Sequence, residues 1–96
     1  MNLPIGSVSD LGLVIRAIRK HGKVRIDDFA ASAGVSKQYV MDLEYGKPTI
    51  RMGLAFKVLE ELGITVQVDI PAAAEPLWRQ LQAKALARER ADAPET

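Results

Sequence analysis

The chain has no cysteine and a single histidine among its 96 residues. The absence of cysteine excludes disulfide scaffolds, thiolate zinc sites and cysteine nucleophiles, and one histidine excludes a multi-histidine metal site within one chain. No apolar run approaches the roughly 20 residues that cross a bilayer. Residues 1–7 lack the basic segment and the apolar stretch of a signal peptide. We therefore expect a cytoplasmic protein that needs neither a metal nor a cofactor.

Catalytic patterns are also missing from the sequence. The chain contains no nucleophile–base pair, no glycine-rich phosphate loop and no cluster of metal ligands. We therefore expect that the protein is not an enzyme. Its composition is that of an ordinary globular domain, with 48% hydrophobic and 26% charged residues.

The net charge of +1 conceals an asymmetry along the chain. Residues 1–58 carry nine Lys or Arg against five Asp or Glu, whereas residues 59–96 carry four against seven. A basic first part is typical of a surface that binds a polyanion, and an acidic second part indicates a different surface.

Apolar residues recur at the helical period in several segments, with good capping residues before them and glycine or proline after them. Asp27 and Asp28 suit the positive end of the second helix. In the fourth helix we expect Met52, Ala55, Phe56, Leu59 and Leu62 to be buried, with Thr49 as the cap. The predicted helices are bounded by Ser7 or Ser9 and Gly22; Asp27 and Gly34; Ser36 and Glu44; Thr49 and Gly63; and Pro76 and about Ala91.

Residues 64–70 change period, because apolar and polar residues alternate until Pro71. This pattern predicts a half-buried β-strand, with Ile64, Val66, Val68 and Ile70 on one face. A lone strand leaves its backbone donors and acceptors unpaired. We therefore expect the strand to pair antiparallel with its copy in a homodimer.

A glycine turn joins the second and third helices, since Gly34 can adopt positive φ and Ser36 can cap the next helix. Two short helices joined in this way form a helix-turn-helix. The segment 29–36 (FAASAGVS), with Leu43-Glu44 and Gly46-Lys47 after it, resembles the Cro/repressor, or XRE-type, helix-turn-helix family over about residues 9–63.

Within this family, the sequence resembles one subfamily more specifically, the HipB-type antitoxins. This resemblance rests on a strand after the fourth helix and on Leu11-Gly12, Arg16, Arg19 and residues 44–49. It implies a dimeric, sequence-specific repressor of its own operon, bound to a pseudo-palindromic double-stranded DNA operator, that neutralises a HipA-type kinase toxin. In the family, the positions of Arg19 and Glu44 form a partly buried ion pair that ties the first helix to the third.

The expected fold is an all-α helix-turn-helix domain of four to five helices, followed by one short β-strand that pairs across a dimer and by a C-terminal helix. Residues 7–63 would bind DNA and residues 64–70 would form the dimerisation strand. Residues 71–96 would form the last helix, with a frayed end at 92–96, and are a candidate partner-binding segment.

The third helix is the candidate recognition helix, whose first residues would meet base edges in the major groove. Lys37 can donate to guanine O6 or N7, and Gln38 can pair with adenine N6 and N7. Asp42 can accept from cytosine N4, while Tyr39 and Met41 can contact a thymine methyl group. On an unrelated surface helix, the same side chains would simply be solvated.

Phosphate contacts would orient the protein on the duplex. Ser36 at the helix N-terminus and Lys47 beyond its end are candidates for them. The family usually has a phosphate-binding glutamine at the position of Ile26, and that contact is missing here. Arg25, one residue earlier, can supply it instead.

Two questions of function stay open on the sequence alone. Leu77, Trp78 and Leu81 form a narrow apolar stripe on the last helix, which can face a partner or pack on the core of the dimer. The chain can also be a free-standing regulator without a toxin, or a protein-interaction module that has lost DNA binding.

Overall fold

The computed structural model of the chain describes residues 1–92, so the frayed end expected at 92–96 lies almost entirely outside the described residues. The described part contains five α-helices and one 3₁₀ turn. The chain divides into two compact units, Met1–Thr65 and the segment from Val66 onward. The elements are α1 (Val8–His21), α2 (Ile26–Ala33), α3 (Lys37–Glu44), α4 (Met52–Glu61), the 3₁₀ turn (Ala72–Ala74) and α5 (Glu75–Asp92).

Local capping chemistry sets the ends of the first three helices. The Ser7 hydroxyl accepts the Asp10 backbone N–H at 3.1 Å and begins α1. Gly34 ends α2 in the left-handed region, with φ +73°, which most other residues disfavour. Two residues later, the Ser36 hydroxyl accepts the Tyr39 N–H at 3.0 Å and begins α3. The turn between α2 and α3 is therefore as short as the sequence predicts.

One small core joins the four helices of the first unit. Its members are fully or almost fully buried apolar side chains, and each of the four helices contributes at least one. They are Ile15, Phe29, Ala30, Val40, Leu43, Ala55, Val58 and Leu59. Helix α3 contributes Val40 and Leu43 to this apolar core, and Lys37, Gln38 and Met41 on the same helix are exposed.

Gly12 sets how closely α1 approaches the end of α3. A Cβ atom at this buried position would lie only 2.6 Å from the Glu44 carbonyl oxygen. Real Cβ atoms do not approach backbone atoms so closely, so the packing of α1 on α3 requires glycine here.

Two expectations for the fourth helix are wrong. Met52 and Phe56 are about half exposed rather than buried, because α4 turns Ala55, Val58 and Leu59 toward the core instead. Arg51, not Thr49, occupies the N-cap position. Met52 and Phe56 are four residues apart and therefore share one uncovered edge of the helix.

The segment 64–70 forms neither a helix nor a paired strand in the single chain. The Ile64 N–H donates to the Leu59 carbonyl at 2.9 Å, and the Ile64 side chain packs against the core. Val66, Val68 and Ile70 are exposed. A strand exists only where it pairs with another, so the strand across a dimer stays a prediction.

The helices described here do not resemble membrane spans: within residues 1–92, none is both long enough and apolar enough to cross a bilayer.

Candidate nucleic-acid interface

Helix α3 has a buried side and an exposed side. Val40, Leu43 and Glu44 are at most 2% exposed. On the other side Lys37, Gln38 and Met41 are exposed, and Tyr39 and Asp42 are partly so. The structure therefore brings together on one surface all five α3 side chains that the sequence nominates for base contacts.

Tyr39 also serves the fold. Its ring packs against the core, and its hydroxyl donates to the Arg51 carbonyl at 2.6 Å. Partial burial raises the pKa of the Tyr39 phenol. Tyr39 thereby links α3 to the start of α4.

The first turns of α2 and α3 are joined by charge. Lys37 Nζ lies 3.0 Å from Asp27 Oδ1, and Arg25 Nη2 lies 3.8 Å from Asp27 Oδ2. The hydrogen bond from Lys37 holds the pKa of Asp27 below its ordinary range, and the Lys37 and Arg25 charges act in the same direction. Two of the three cations predicted to meet DNA, Arg25 and Lys37, thus flank one carboxylate.

A second set of polar contacts runs along α3 to the loop after it. Gln38 Nε2 donates to Asp42 Oδ1 at 2.8 Å, and Lys47 Nζ lies 3.7 Å from Asp42 Oδ2. The amide of Gln38 is oriented by this bond, which leaves its carbonyl oxygen and one N–H for a base edge. Asp42 holds two other candidate residues in place rather than standing alone.

The buried ion pair lies behind this surface. Arg19 of α1 binds Glu44 of α3 through two hydrogen bonds, Nε to Oε2 at 2.6 Å and Nη2 to Oε1 at 2.8 Å. Arg19 Nη1 also donates to the Val24 carbonyl at 2.9 Å. The hydrogen bond to Glu44 raises the pKa of Arg19. One guanidinium therefore connects α1, the loop before α2, and the end of α3.

Three contributors to this surface do not show in the sequence pattern. Asp27 pairs with Lys37, ten residues after it, and with Arg25, two residues before it, whereas the sequence assigns Asp27 only to the helix dipole. Arg51 lines an open hollow of about 290 Å³ beside Gln38, Tyr39 and Lys47. Arg16 of α1 stacks over the Tyr45 ring, with 4.9 Å to its centroid. A non-local ion pair or cation–π contact has no local sequence signal.

Ile26 adds no polar side chain to this surface, and the C-terminal candidates belong to the second unit. Ile26 is partly buried against the core, so it offers nothing to a phosphate, whereas the Arg25 side chain beside it is 79% exposed. Leu77, Trp78 and Leu81 lie on α5 of the second unit and are about half exposed. Within residues 1–92 no group of three or more metal-binding side chains is assembled.

The surface can perform recognition by hydrogen bonds. It presents cations and amide groups at helix N-termini, where backbone N–H groups also favour anions. Lysine and glutamine side chains match the acceptor and donor patterns of base pairs in the major groove. The exposed row on α3 is therefore suited to a duplex.

Comparisons with known proteins agree with this geometry. The profile of the helix-turn-helix family matches residues 15–68, more than half of the chain. The "uncharacterized HTH-type transcriptional regulator y4mF" of Sinorhizobium fredii (strain NBRC 101917 / NGR234) is 37% identical over 67 residues, covering 70% of this chain and 88% of that relative.

Two solved structures are similar in fold, the HipA–HipB–O2–O3 complex and the HipB–O4 20mer complex. Each has a TM-score of 0.66 and 16% identity, and covers 72% of this chain and 97% of the matched chain. At this identity they show the fold alone. Together with the family profile and the 37% identical relative, the arrangement of α1–α4 shows that the chain belongs to the Cro/repressor, or XRE-type, helix-turn-helix family of transcriptional regulators.

Proposed function

We propose that the protein is a dimeric, sequence-specific repressor that binds a pseudo-palindromic operator in the promoter of its own operon. The observation that carries this proposal is the exposed row on α3, whose opposite side is fully buried. Lys37, Gln38 and Met41 meet base edges, and Asp42 and the Tyr39 ring edge add to that contact. Phosphates are held by Arg25, Ser36 and Lys47.

A titration of promoter duplex at two salt concentrations tests the DNA-binding part. Lys47→Ala is expected to weaken binding to all duplexes alike and to flatten the salt slope by about one unit. Gln38→Ala is expected to cost about 1–3 kcal/mol and to relax the choice at one base pair. Lys57→Ala is the matched control for charge, since Lys57 is exposed on α4 and points away from the core.

Ile26 favours one alternative function, a protein-interaction module that has lost DNA binding. Its half-buried side chain removes the phosphate contact that the family usually has at this position. The same titration separates the two functions. Salt-dependent binding to duplex supports the repressor, and affinity that does not respond to salt contradicts it.

The homodimer is proposed to form by antiparallel pairing of residues 64–70. In the single chain Val66 is 51% and Val68 is 81% exposed, so both have apolar area to bury against a copy. Burial of apolar area contributes roughly 25 cal/mol per Å². The half-exposed Met52 and Phe56 on α4 give a second apolar surface for the same purpose.

We further propose that the protein is the antitoxin of a HipBA-like operon and binds a HipA-type kinase toxin. The sequence resemblance and the fold shared with HipB support this. Residues 72–91 are the proposed contact segment, because Leu77, Trp78 and Leu81 are exposed apolar side chains on a helix with charge elsewhere.

Truncation after Pro71 tests the role of the last helix. If the segment serves the toxin, the truncated protein still dimerises and binds operator DNA but loses affinity for the toxin. If the helix instead packs on the core of the dimer, truncation lowers the melting temperature sharply and abolishes dimerisation. Copurification with the product of the neighbouring gene distinguishes an antitoxin from a free-standing regulator.

A further inference from the structure

Asp27 stands where the first turns of two helices meet. It lies in the first turn of α2, beside the N-cap residue Arg25 and opposite Lys37, the first residue of α3. Its Oδ1 is 3.0 Å from Lys37 Nζ, and the contact of its Oδ2 with Arg25 is longer, at 3.8 Å. Helix N-termini attract anions, so a carboxylate here occupies a place that DNA phosphates would also favour.

The ion pair with Asp27 leaves Lys37 with hydrogen-bond donors for another partner. A lysine ammonium carries three N–H donors, and one hydrogen bond to Asp27 leaves two. Guanine offers two acceptors, O6 and N7, at its major-groove edge. The Asp27 and Lys37 side chains are 49% and 56% exposed, so the pair lies at the surface that would face the duplex.

We propose that Asp27 is a positioning residue that sets sequence specificity, by holding Lys37 for a base edge and away from the phosphates of unrelated DNA. This inference rests on the proposed function, since it requires α3 to contact bases. A lysine without a partner binds any phosphate within reach and adds to sequence-independent affinity. With Asp27 beside it, Lys37 is already neutralised, so a duplex of arbitrary sequence gains little from it.

The lowered pKa of Asp27 agrees with this role. Its main cause is the hydrogen bond from Lys37, the same contact that the 3.0 Å distance between Lys37 Nζ and Asp27 Oδ1 shows. Asp28, the next residue, is exposed in the same helical turn and points about 100° away. It therefore supplies a matched control that changes the same charge and the same helix dipole without touching Lys37.

The experiment compares the full-length wild type with Asp27→Asn, Asp28→Asn and Asp27→Glu. The probes are a mixed-sequence duplex of about two helical turns and a duplex recovered by in-vitro selection with the wild type. In Asp27→Asn, the slope of log affinity against log salt on the mixed duplex is expected to steepen by about 0.9. Between about 50 and 200 mM salt this is roughly a threefold larger loss of affinity than in the wild type. The ratio of affinities for the selected and the mixed duplex is expected to fall.

Asp28→Asn is expected to keep the wild-type slope, and Asp27→Glu to restore most of the specificity ratio. Equal slopes and ratios for Asp27→Asn and Asp28→Asn overturn the inference, while DNA binding by the wild type stands. A wild type that binds neither duplex refutes the proposed function instead.

A second arm keeps the test valid if Asp27→Asn melts earlier than its control. In a Lys37→Gln background, the Asp27→Asn change is expected to lose most of its effect on the slope. If Asp27→Asn changes the salt slope as much in the Lys37→Gln background as in the wild type, the inference is also overturned. The effect of Asp27 on DNA binding then does not act through Lys37.

Discussion

Replacing Glu44 by glutamine probes the ion pair behind the recognition helix. The change keeps the shape of the side chain, but it leaves the Arg19 guanidinium, 12% exposed, against a neutral amide. Breaking a buried pair by removing one partner costs about 3–5 kcal/mol. Arg19 keeps its bond to the Val24 carbonyl, which favours the lower end of that range.

This loss is large for so small a unit. Folded domains have roughly 0.05–0.15 kcal/mol of stability per residue, which for the unit Met1–Thr65 is roughly 3–10 kcal/mol. Glu44→Gln therefore removes about a third of the free energy of unfolding or more. Urea unfolding followed by far-UV circular dichroism at neutral pH measures it. Glu60→Gln, an exposed change on α4, is the control and is expected to shift stability by less than about 0.5 kcal/mol.

A double variant separates stability from orientation. Arg19→Met with Glu44→Leu replaces the pair by apolar side chains and is expected to recover most of the lost stability. It is also expected to bind operator duplex more weakly than the wild type, because α3 is then no longer fixed to α1 by hydrogen bonds. The reasoning is refuted if Glu44→Gln loses less than about 1 kcal/mol, or if the double variant is no more stable than the single one.

Four further outcomes are expected. Gly12→Ala forces a Cβ against the backbone of α3 and lowers stability by about 1–3 kcal/mol in thermal melts, whereas Gly53→Ala, with open space around it, is neutral or stabilising. Val66→Pro removes a strand donor and is expected to shift the protein from dimer to monomer in sedimentation; an unchanged dimer places the interface elsewhere. Trp78→Ala is expected to cost about 2 kcal/mol or more of toxin affinity in calorimetry if that residue is a hot spot. Because the folded pKa of Asp27 is lowered, its contribution to stability is present above about pH 4 and is lost as pH falls through the folded value, so the urea midpoints of wild type and Asp27→Asn converge in acid.

The helix-turn-helix can be predicted from sequence because its determinants are local. Gly34 and Ser36 fix a left-handed turn and a cap within three residues, and the spacing of Val40 and Leu43 fixes which side of α3 is buried. The exposed side then follows by elimination.

What the sequence could not predict depends on non-local packing. The rotation of α4 that exposes Met52 and Phe56 is decided by how Ala55 and Val58 fit against the other helices, not by the period of its apolar residues. The Asp27–Lys37 pair connects residues on two different helices, so the sequence around either residue does not indicate the contact. The strand predicted at 64–70 needs a second chain, so it remains a prediction.

In-vitro selection of DNA from a random duplex library shows directly whether α3 contacts bases in the groove. With the wild type, base contact by two copies of α3 is expected to select a two-fold symmetric motif whose half-sites are about one helical turn, roughly 34 Å, apart. With Gln38→Ala, selection is expected to recover the same motif with the preference lost at one base pair in each half-site. If the wild type enriches no sequence, or if both Gln38→Ala and Lys37→Ala recover an unchanged motif, then α3 does not read bases.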